Sequence, residues 1–268
     1  MNLTDHAARL RAQLSAQILP YWFDTAIDRA RGGYMLADDG RQVGGGTEKQ
    51  LVSQSRLIWT FSHAHLKGLS DDQRNYLKAA EHGYKFLRSH FLDPQHGGYY
   101  WKTDVSGKVL NDRKIVYGQS FAIYALVEYH RASGDPEPLR DALDLFFTLE
   151  RQSRDKQRGG WIEHFRRDWR PILSPTPGAE VEIPGLKSAN THLHLMEAMT
   201  ELYRATADFE VRDALSEALR LNAQYFYPFV ASESCFHRQL DWEPVRDSAS
   251  AGLSYGHNVE FAWLMIQA

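Results

Sequence analysis

The feature that most constrains this chain is a motif that recurs at a nearly constant spacing. The pattern Asp-x-x-x-Gly-Gly-aromatic occurs at residues 28–34, 93–99 and 155–161, with starting points separated by 65 and 62 residues. A degenerate fourth copy is found at residues 235–242, where CFHRQLDW resembles WIEHFRRDW at residues 161–169. A fixed period of this length is typical of architectures that repeat one supersecondary unit along the chain.

Each copy of the motif lies between two segments with helical apolar periodicity, and its glycine pair opens a short extended stretch. Ser70 followed by Asp71 and Asp72 predicts the start of one helix, and the run 134–136, Gly-Asp-Pro, separates two others. The predicted helices lie at about residues 3–24, 50–67, 71–92, 114–133, 136–153, 187–206, 209–231 and 253–268. Two helices per unit predict stacked hairpins in an open solenoid or a closed toroid, with the more apolar even-numbered helices on the inside.

Composition and charge narrow the class of protein. A chain of 268 residues with 43% hydrophobic content can bury one large core, and we expect a single domain over residues 1–268. The formal charge of −3 provides no field that would attract nucleic acid or an anionic membrane. Without a signal-peptide pattern or a run of about 18 apolar residues, the sequence predicts a soluble, cytoplasmic protein. The single cysteine, Cys235, is interpreted as a partly buried apolar residue.

Polar residues stand near the start of each even-numbered helix, within otherwise apolar sequence. If the repeats are equivalent, these starts lie at one level of the ring, and their polar side chains converge on one end of a central cavity. The residues concerned are Arg56, Tyr117, Asn190, His194, His257 and Glu260.

Helical spacing links some of these residues in pairs. Asn190 and His194 are four positions apart and His257 and Glu260 three, so each pair shares a helix face. His192 points away from His194 and is interpreted as a hydrogen-bonded core residue. The sequence has no zinc-binding motif, phosphate-binding glycine loop or serine-hydrolase elbow. We therefore expect neither a metal nor a cofactor.

Four separated segments resemble one known family. They are RKIVYGQSFAIYAL at residues 113–126, GGWIEHFRRDW at 159–169, KSANTHLHLMEAMTELYR at 187–204 and SYGHNVEFAW at 254–263. Together they are similar to the N-acylglucosamine 2-epimerase superfamily, and within it to the cellobiose 2-epimerase branch, chiefly through NTHLH and GH-x-x-E. The resemblance implies an all-α fold, an (α/α)6 barrel, of which this chain would hold about eight of twelve helices.

The resemblance also implies a reaction and a set of site residues. The reaction is epimerisation at C2 of the reducing-end sugar of cellobiose or a related β-1,4-disaccharide, through ring opening and an enediolate. His257 would transfer the C2 proton, with Glu260 and His194 as further catalytic groups. The sugar-contacting residues would be Arg56, Tyr117, Asn190 and Trp263. The implied partner is a small-molecule sugar, with no nucleic acid and no membrane.

Several alternatives remain open. An N-acylglucosamine 2-epimerase or a mannose isomerase would use the same half-site, and an α/α-barrel glycosidase would use paired carboxylates chosen from Glu163, Asp168 and Glu182. A non-catalytic sugar-binding role is a further possibility. The resemblance implies that the domain is incomplete at its C-terminus and that a second catalytic histidine lies beyond Ala268. We therefore expect an uncovered apolar face, carried by Leu253, Phe261, Leu264 and Met265.

Overall fold

The computed structural model of the chain describes residues 2–35, 46–176, 180–228, 234–246 and 254–268. Within these ranges it has nine α-helices: α1 (Leu3–Gln13), α2 (Leu19–Ala26), α3 (Leu51–Leu66), α4 (Tyr76–Phe86), α5 (Val116–Ser133), α6 (Glu137–Gln152), α7 (Ala189–Thr206), α8 (Phe209–Leu221) and α9 (Tyr255–Gln267). A π-helical turn, Leu14–Ile18, joins α1 and α2 into one rod, and similar turns, Leu87–Phe91 and Asn222–Phe226, extend α4 and α8. The eight helical segments that the sequence predicts are therefore confirmed.

The ends of some helices differ from the prediction for local reasons. The third segment begins at Tyr76 and not at residue 71, because the Asp71 carboxylate accepts the backbone N–H groups of a separate turn. Asn75 caps α4 by accepting the N–H of Lys78 at 3.0 Å. The prediction that Ser70 and Asp71 start this helix is wrong.

Short antiparallel strands connect neighbouring units. They are β1 (Glu48–Gln50), β2 (Lys102–Asp104), β3 (Val109–Asn111), β4 (Lys114–Ile115), β5 (His164–Phe165), β6 (Leu186–Ser188) and β7 (His237–Gln239). β1, β4 and β6 each run directly into an inner helix and pair with a strand of the following unit, β2, β5 and β7 respectively. This pairing holds the N-terminal ends of α3, α5 and α7 at one level.

The helices form two layers, as the repeat predicts. α3, α5, α7 and α9 pack side by side in chain order as an inner layer, and α4, α6 and α8 pack outside α3, α5 and α7. The hairpins thus form an arc of a helical toroid, and the all-α class is confirmed. Among the described residues, no helix combines the length and the apolar character needed to cross a membrane.

The repeated motif is held by a buried ion pair in each unit. A lysine from the strand before the inner helix reaches the motif's aspartate, and the lysine side chain has no exposed surface. The pairs are Lys49–Asp28 at 3.0 Å, Lys114–Asp93 at 3.1 Å and Lys187–Asp155 at 2.9 Å. Because a buried charge is costly unless it is paired and hydrogen-bonded, the motif depends on both partners.

The structure also supports the degenerate fourth copy. Trp169 and Trp242 both adopt positive φ, 63° and 74°, and their indole N–H groups donate to the carbonyls of His96 and Arg158. Each tryptophan covers a motif glycine of the preceding unit, and a Cβ on Gly160 would lie 2.8 Å from the Trp242 ring. The similarity between residues 161–169 and 235–242 is therefore a structural equivalence.

The expectation of a wholly uncovered face on α9 is wrong for the residues that the structure describes. Leu264 is buried, the Phe261 ring stacks on Tyr227 with centroids 4.0 Å apart, and Met265 packs against the core. Leu253 lies outside the described residues. The large apolar side chains that α9 exposes are instead Tyr255, Val259, Trp263 and Ile266.

Candidate active site

A cavity of about 480 Å³ lies along the first half of the inner helices. Counted from its first residue, the sixth residue of each inner helix lines this cavity. These residues are Arg56, Phe121, His194 and Glu260. Because equivalent positions of the inner helices lie at one level, a guanidinium, an imidazole and a carboxylate line the same cavity.

Arg56 enters this cavity as an accessible cation. Its guanidinium carbon lies 4.4 Å from the centroid of the Phe121 ring, which supports it through a cation–π contact. More than a third of the residue is exposed, and it makes no ion pair with any described residue. The guanidinium can therefore bind an anionic or carbonyl oxygen without first leaving a carboxylate.

His194 lies deeper, with 4% of its surface exposed. Its Nδ1 lies 2.8 Å from a carboxylate oxygen of Glu197, one helical turn further along α7. The rings of Phe121 and Tyr117 pack against it, with centroid distances of 4.6 and 5.5 Å. Tyr117 thus contacts the cavity's histidine without being part of the cavity lining.

Asn190 and His257 lie outside the lining. The Asn190 amide donates to Glu182 at 2.8 Å, and the other oxygen of Glu182 pairs with His237 Nε2 at 2.8 Å. Asn190 and His194 share a face of α7, but the Asn190 amide is hydrogen-bonded to the loop that precedes β6. His257 Nδ1 pairs with Ser254 Oγ at 2.6 Å.

The two residues that share a face of α9, His257 and Glu260, are not joined by a hydrogen bond either. Among the described residues, His257 makes no hydrogen bond with Glu260, which lines the cavity. Trp263, 55% exposed, lines an adjoining cavity of about 310 Å³.

A second layer of residues consists of Trp263, which the sequence predicts, and three residues that the sequence analysis did not identify. The ninth residues of the inner helices line the adjoining cavity, and all but Trp263 also line the first. They are Trp59, Tyr124, Glu197 and Trp263. Trp59 stacks on Tyr124 with centroids 5.1 Å apart and an interplanar angle of 10°. Since each follows a sixth-position residue by three, the same-face rule of a helix could have identified them.

The carboxylates proposed for a glycosidase have structural roles. Glu163 is buried and accepts hydrogen bonds from the backbone and hydroxyl of Ser188, at the start of α7. Asp168 pairs with Arg170 at 2.6 Å, and Glu182 is held by Asn190 and His237. None of the three lines the 480 Å³ cavity. In the described ranges no three His, Cys, Asp or Glu side chains lie close enough to hold a metal ion.

The family model for N-acylglucosamine 2-epimerase (GlcNAc 2-epimerase) matches residues 32–268. The chain belongs to this family. It is 33% identical over 97% of its length to a cellobiose 2-epimerase of Bacteroides fragilis, and spans 64% of that protein. Thus the chain covers somewhat less than two thirds of the curated relative.

Solved structures agree with this assignment. The fold is similar to that of cellobiose 2-epimerase from Spirochaeta thermophila, with a TM-score of 0.85 and 35% identity over 99% of this chain and 63% of that one. For the cellobiose 2-epimerase of Bacillus thermoamylovorans the TM-score is 0.88 and the identity 29%, over 99% of this chain and 66% of that one. The recognised family and the helical toroid are therefore confirmed.

Proposed function

We propose that this chain provides active-site residues of a sugar 2-epimerase that acts on the reducing end of cellobiose or a related β-1,4-disaccharide. The observation that carries the proposal is the convergence of Arg56, His194 and Glu260 from three inner helices on one cavity. Its volume of about 480 Å³ falls in the range of small-molecule sites. The similarity to cellobiose 2-epimerases supports the choice of sugar.

The side chains suit the chemistry of inversion at C2. Once the sugar ring opens, the C1 carbonyl can delocalise the electron pair left when a base removes the C2 proton, and an enediolate forms. Return of a proton to C2 from the opposite face inverts that carbon, so one proton leaves and one is added. Histidine suits both transfers because it titrates near neutral pH. Arg56 would stabilise the oxyanion that develops on the former carbonyl.

We assign His257 and His194 to proton transfer and Glu260 to orienting His257. His257 lies three residues before Glu260 on α9, and its Ser254 partner is a neutral hydroxyl that can release the ring. Arg56, Tyr117, Asn190 and Trp263 are the proposed sugar contacts. Tyr117 contacts His194 directly, whereas Asn190 must exchange its Glu182 partner for a sugar hydroxyl.

The test is exchange of the C2 proton in D2O, followed by NMR for cellobiose, N-acetylglucosamine and mannose in parallel. We expect exchange at C2 of the reducing glucose of cellobiose and formation of its C2 epimer. Replacement of His257 by Ala should abolish both, while His6→Ala, an exposed position on α1, should leave both unchanged.

The other outcomes contradict the proposal in different ways. Exchange with N-acetylglucosamine alone would identify an N-acylglucosamine 2-epimerase, and conversion of mannose to a ketose would identify an isomerase. Release of free glucose from cellobiose would indicate a glycosidase. Absence of exchange with all three sugars would refute epimerase activity of this chain.

A further inference from the structure

We infer that Glu197 is a positioning residue, which holds His194 in the tautomer that carries its proton on Nδ1 and so presents Nε2 to the cavity as a proton acceptor. The catalytic consequence rests on the proposed function, whereas the tautomer is a property of the protein alone.

The geometry of the pair fixes the direction of the hydrogen bond. His194 and Glu197 are three residues apart on α7, and their side chains are 5% and 13% exposed, with Nδ1 and the carboxylate oxygen 2.8 Å apart. An ionised carboxylate can only accept, so the hydrogen lies on Nδ1. A neutral imidazole has one N–H group, so Nε2 then carries a lone pair.

The surroundings of His194 leave Nε2 available and the ring fixed. No described residue forms a hydrogen bond with this nitrogen, and the residue itself lines the cavity. Phe121 and Tyr117 pack against the ring and oppose its rotation. If Nε2 accepts a proton, the imidazolium lies beside the Glu197 carboxylate, which stabilises the new charge.

Glu197 is available to pair with His194 because the neighbouring carboxylates, and not Glu197, form ion pairs with arginine. Arg131 lies 3.1 Å from Glu128 and 3.2 Å from Glu201. Among the described residues, His194 is the ion-pair partner of Glu197. Glu197 therefore interacts with the histidine of the cavity and is not part of the arginine ion pairs further along the inner helices.

The phenol of Tyr124 interacts with the Glu197 carboxylate. Burial, followed by the negative charge of Glu197, raises the pKa of Tyr124 well above its usual value. The phenol therefore stays protonated and can donate to the carboxylate. Trp59 stacks flat on the Tyr124 ring and restricts its orientation.

The tautomer is measured directly by long-range 1H–15N NMR of the histidine rings, in the whole chain and in Glu197→Gln. His192 on the same helix is a matched control, because its Nδ1 lies 3.0 Å from the Ser188 carbonyl and its Nε2 accepts from the Trp161 N–H. We expect both histidines to carry Nδ1–H in the unmodified protein. In Glu197→Gln, His194 should gain the Nε2–H form while His192 keeps its signals. An Nε2–H form of His194 in the unmodified protein, or no change in the variant, would overturn the inference.

The consequence for catalysis is measured in the same two proteins by C2 proton exchange. At metal sites, loss of the carboxylate that orients a histidine lowers activity by about 10–100-fold, and we expect a loss of this order in kcat with little change in KM. Glu197→Asp, which keeps the carboxylate, should recover part of kcat. A loss confined to KM, or equal loss in both variants, would contradict a positioning role. Failure of the unmodified chain to exchange any sugar would refute the proposed function, and the tautomer measurement would still decide this inference.

Discussion

The buried ion pair of the third repeat can be tested by removing its cation. The Lys187 side chain is fully buried, and its Nζ lies 2.9 Å from the Asp155 carboxylate, 2.7 Å from the carbonyl of Gly159 and 2.8 Å from that of Leu240. All three ammonium protons therefore have acceptors. The Trp242 ring lies 4.3 Å from the same nitrogen.

Replacement of Lys187 by Met keeps an unbranched apolar chain but removes the charge and the three donors. Breaking a buried pair by removing one partner costs about 3–5 kcal/mol. Asp155 keeps the backbone N–H groups of Gln157 and Arg158 at 3.2 and 3.1 Å, which compensates part of the loss. We therefore expect the free energy of unfolding to fall by about 3 kcal/mol, the lower end of that range.

The measurement is equilibrium unfolding in urea, followed by circular dichroism and tryptophan fluorescence in parallel. The control is Arg212→Ala, which removes an exposed pair with Asp213 and should cost about 0–1 kcal/mol. The double variant Asp155→Asn with Lys187→Met should lose less than the sum of the single variants, because neither charge is left alone. A loss in Lys187→Met no greater than that of the control would refute the view that these pairs hold the repeat together.

Two further predictions concern the same motif. Gly160 and Gly134 both have a φ of 73°, but a Cβ on Gly160 would lie 2.8 Å from the Trp242 ring, whereas a Cβ on Gly134 would meet nothing within 4 Å. Thermal unfolding should therefore show that Gly160→Ala is less stable than Gly134→Ala by about 1–3 kcal/mol. Equal losses of stability in the two variants would contradict this. Burial acts to raise the pKa of Asp155, but the hydrogen bond and charge of Lys187 outweigh it and hold that pKa below its usual value. The stability from this depressed pKa is present above about pH 4 and is lost as the pH falls through the folded-state pKa. Urea titrations should therefore show that the loss of unfolding free energy in Lys187→Met becomes smaller in acid. A loss that does not change with pH would argue against this link between the Asp155 pKa and stability.

The helices could be predicted from the sequence because their signals are local. Apolar periodicity marks the helices, and the aspartate and glycine pair recur in three units, where the structure has the same bridge on either side of each motif. The start of α4 was misplaced because two aspartates and an asparagine offer competing caps, and Asn75 forms the cap that α4 uses. Capping residues identify a region, whereas tertiary packing selects the residue.

The site could be predicted only in part, for a different reason. Arg56, His194 and Glu260 follow from the equivalence of the inner helices, and β-strand pairing sets the starts of α3, α5 and α7 at one level. Asn190 lies outside the cavity lining because its amide donates to Glu182, in the loop that precedes β6. A contact of that kind depends on the path of one loop and leaves no periodic signal in the sequence.

Comparison of equivalent positions separates scaffold from site within this single chain. The lysine before the inner helix is the same residue in three units, because each unit must neutralise the same buried aspartate. The sixth position of the inner helices differs in every unit, because one cavity requires unlike groups at its walls. Four copies of arginine there would repel one another, and four copies of phenylalanine could not move a proton. Divergence at a position that faces a shared cavity is therefore the pattern expected of a binding or catalytic residue, and identity at a buried position is the pattern expected of the fold.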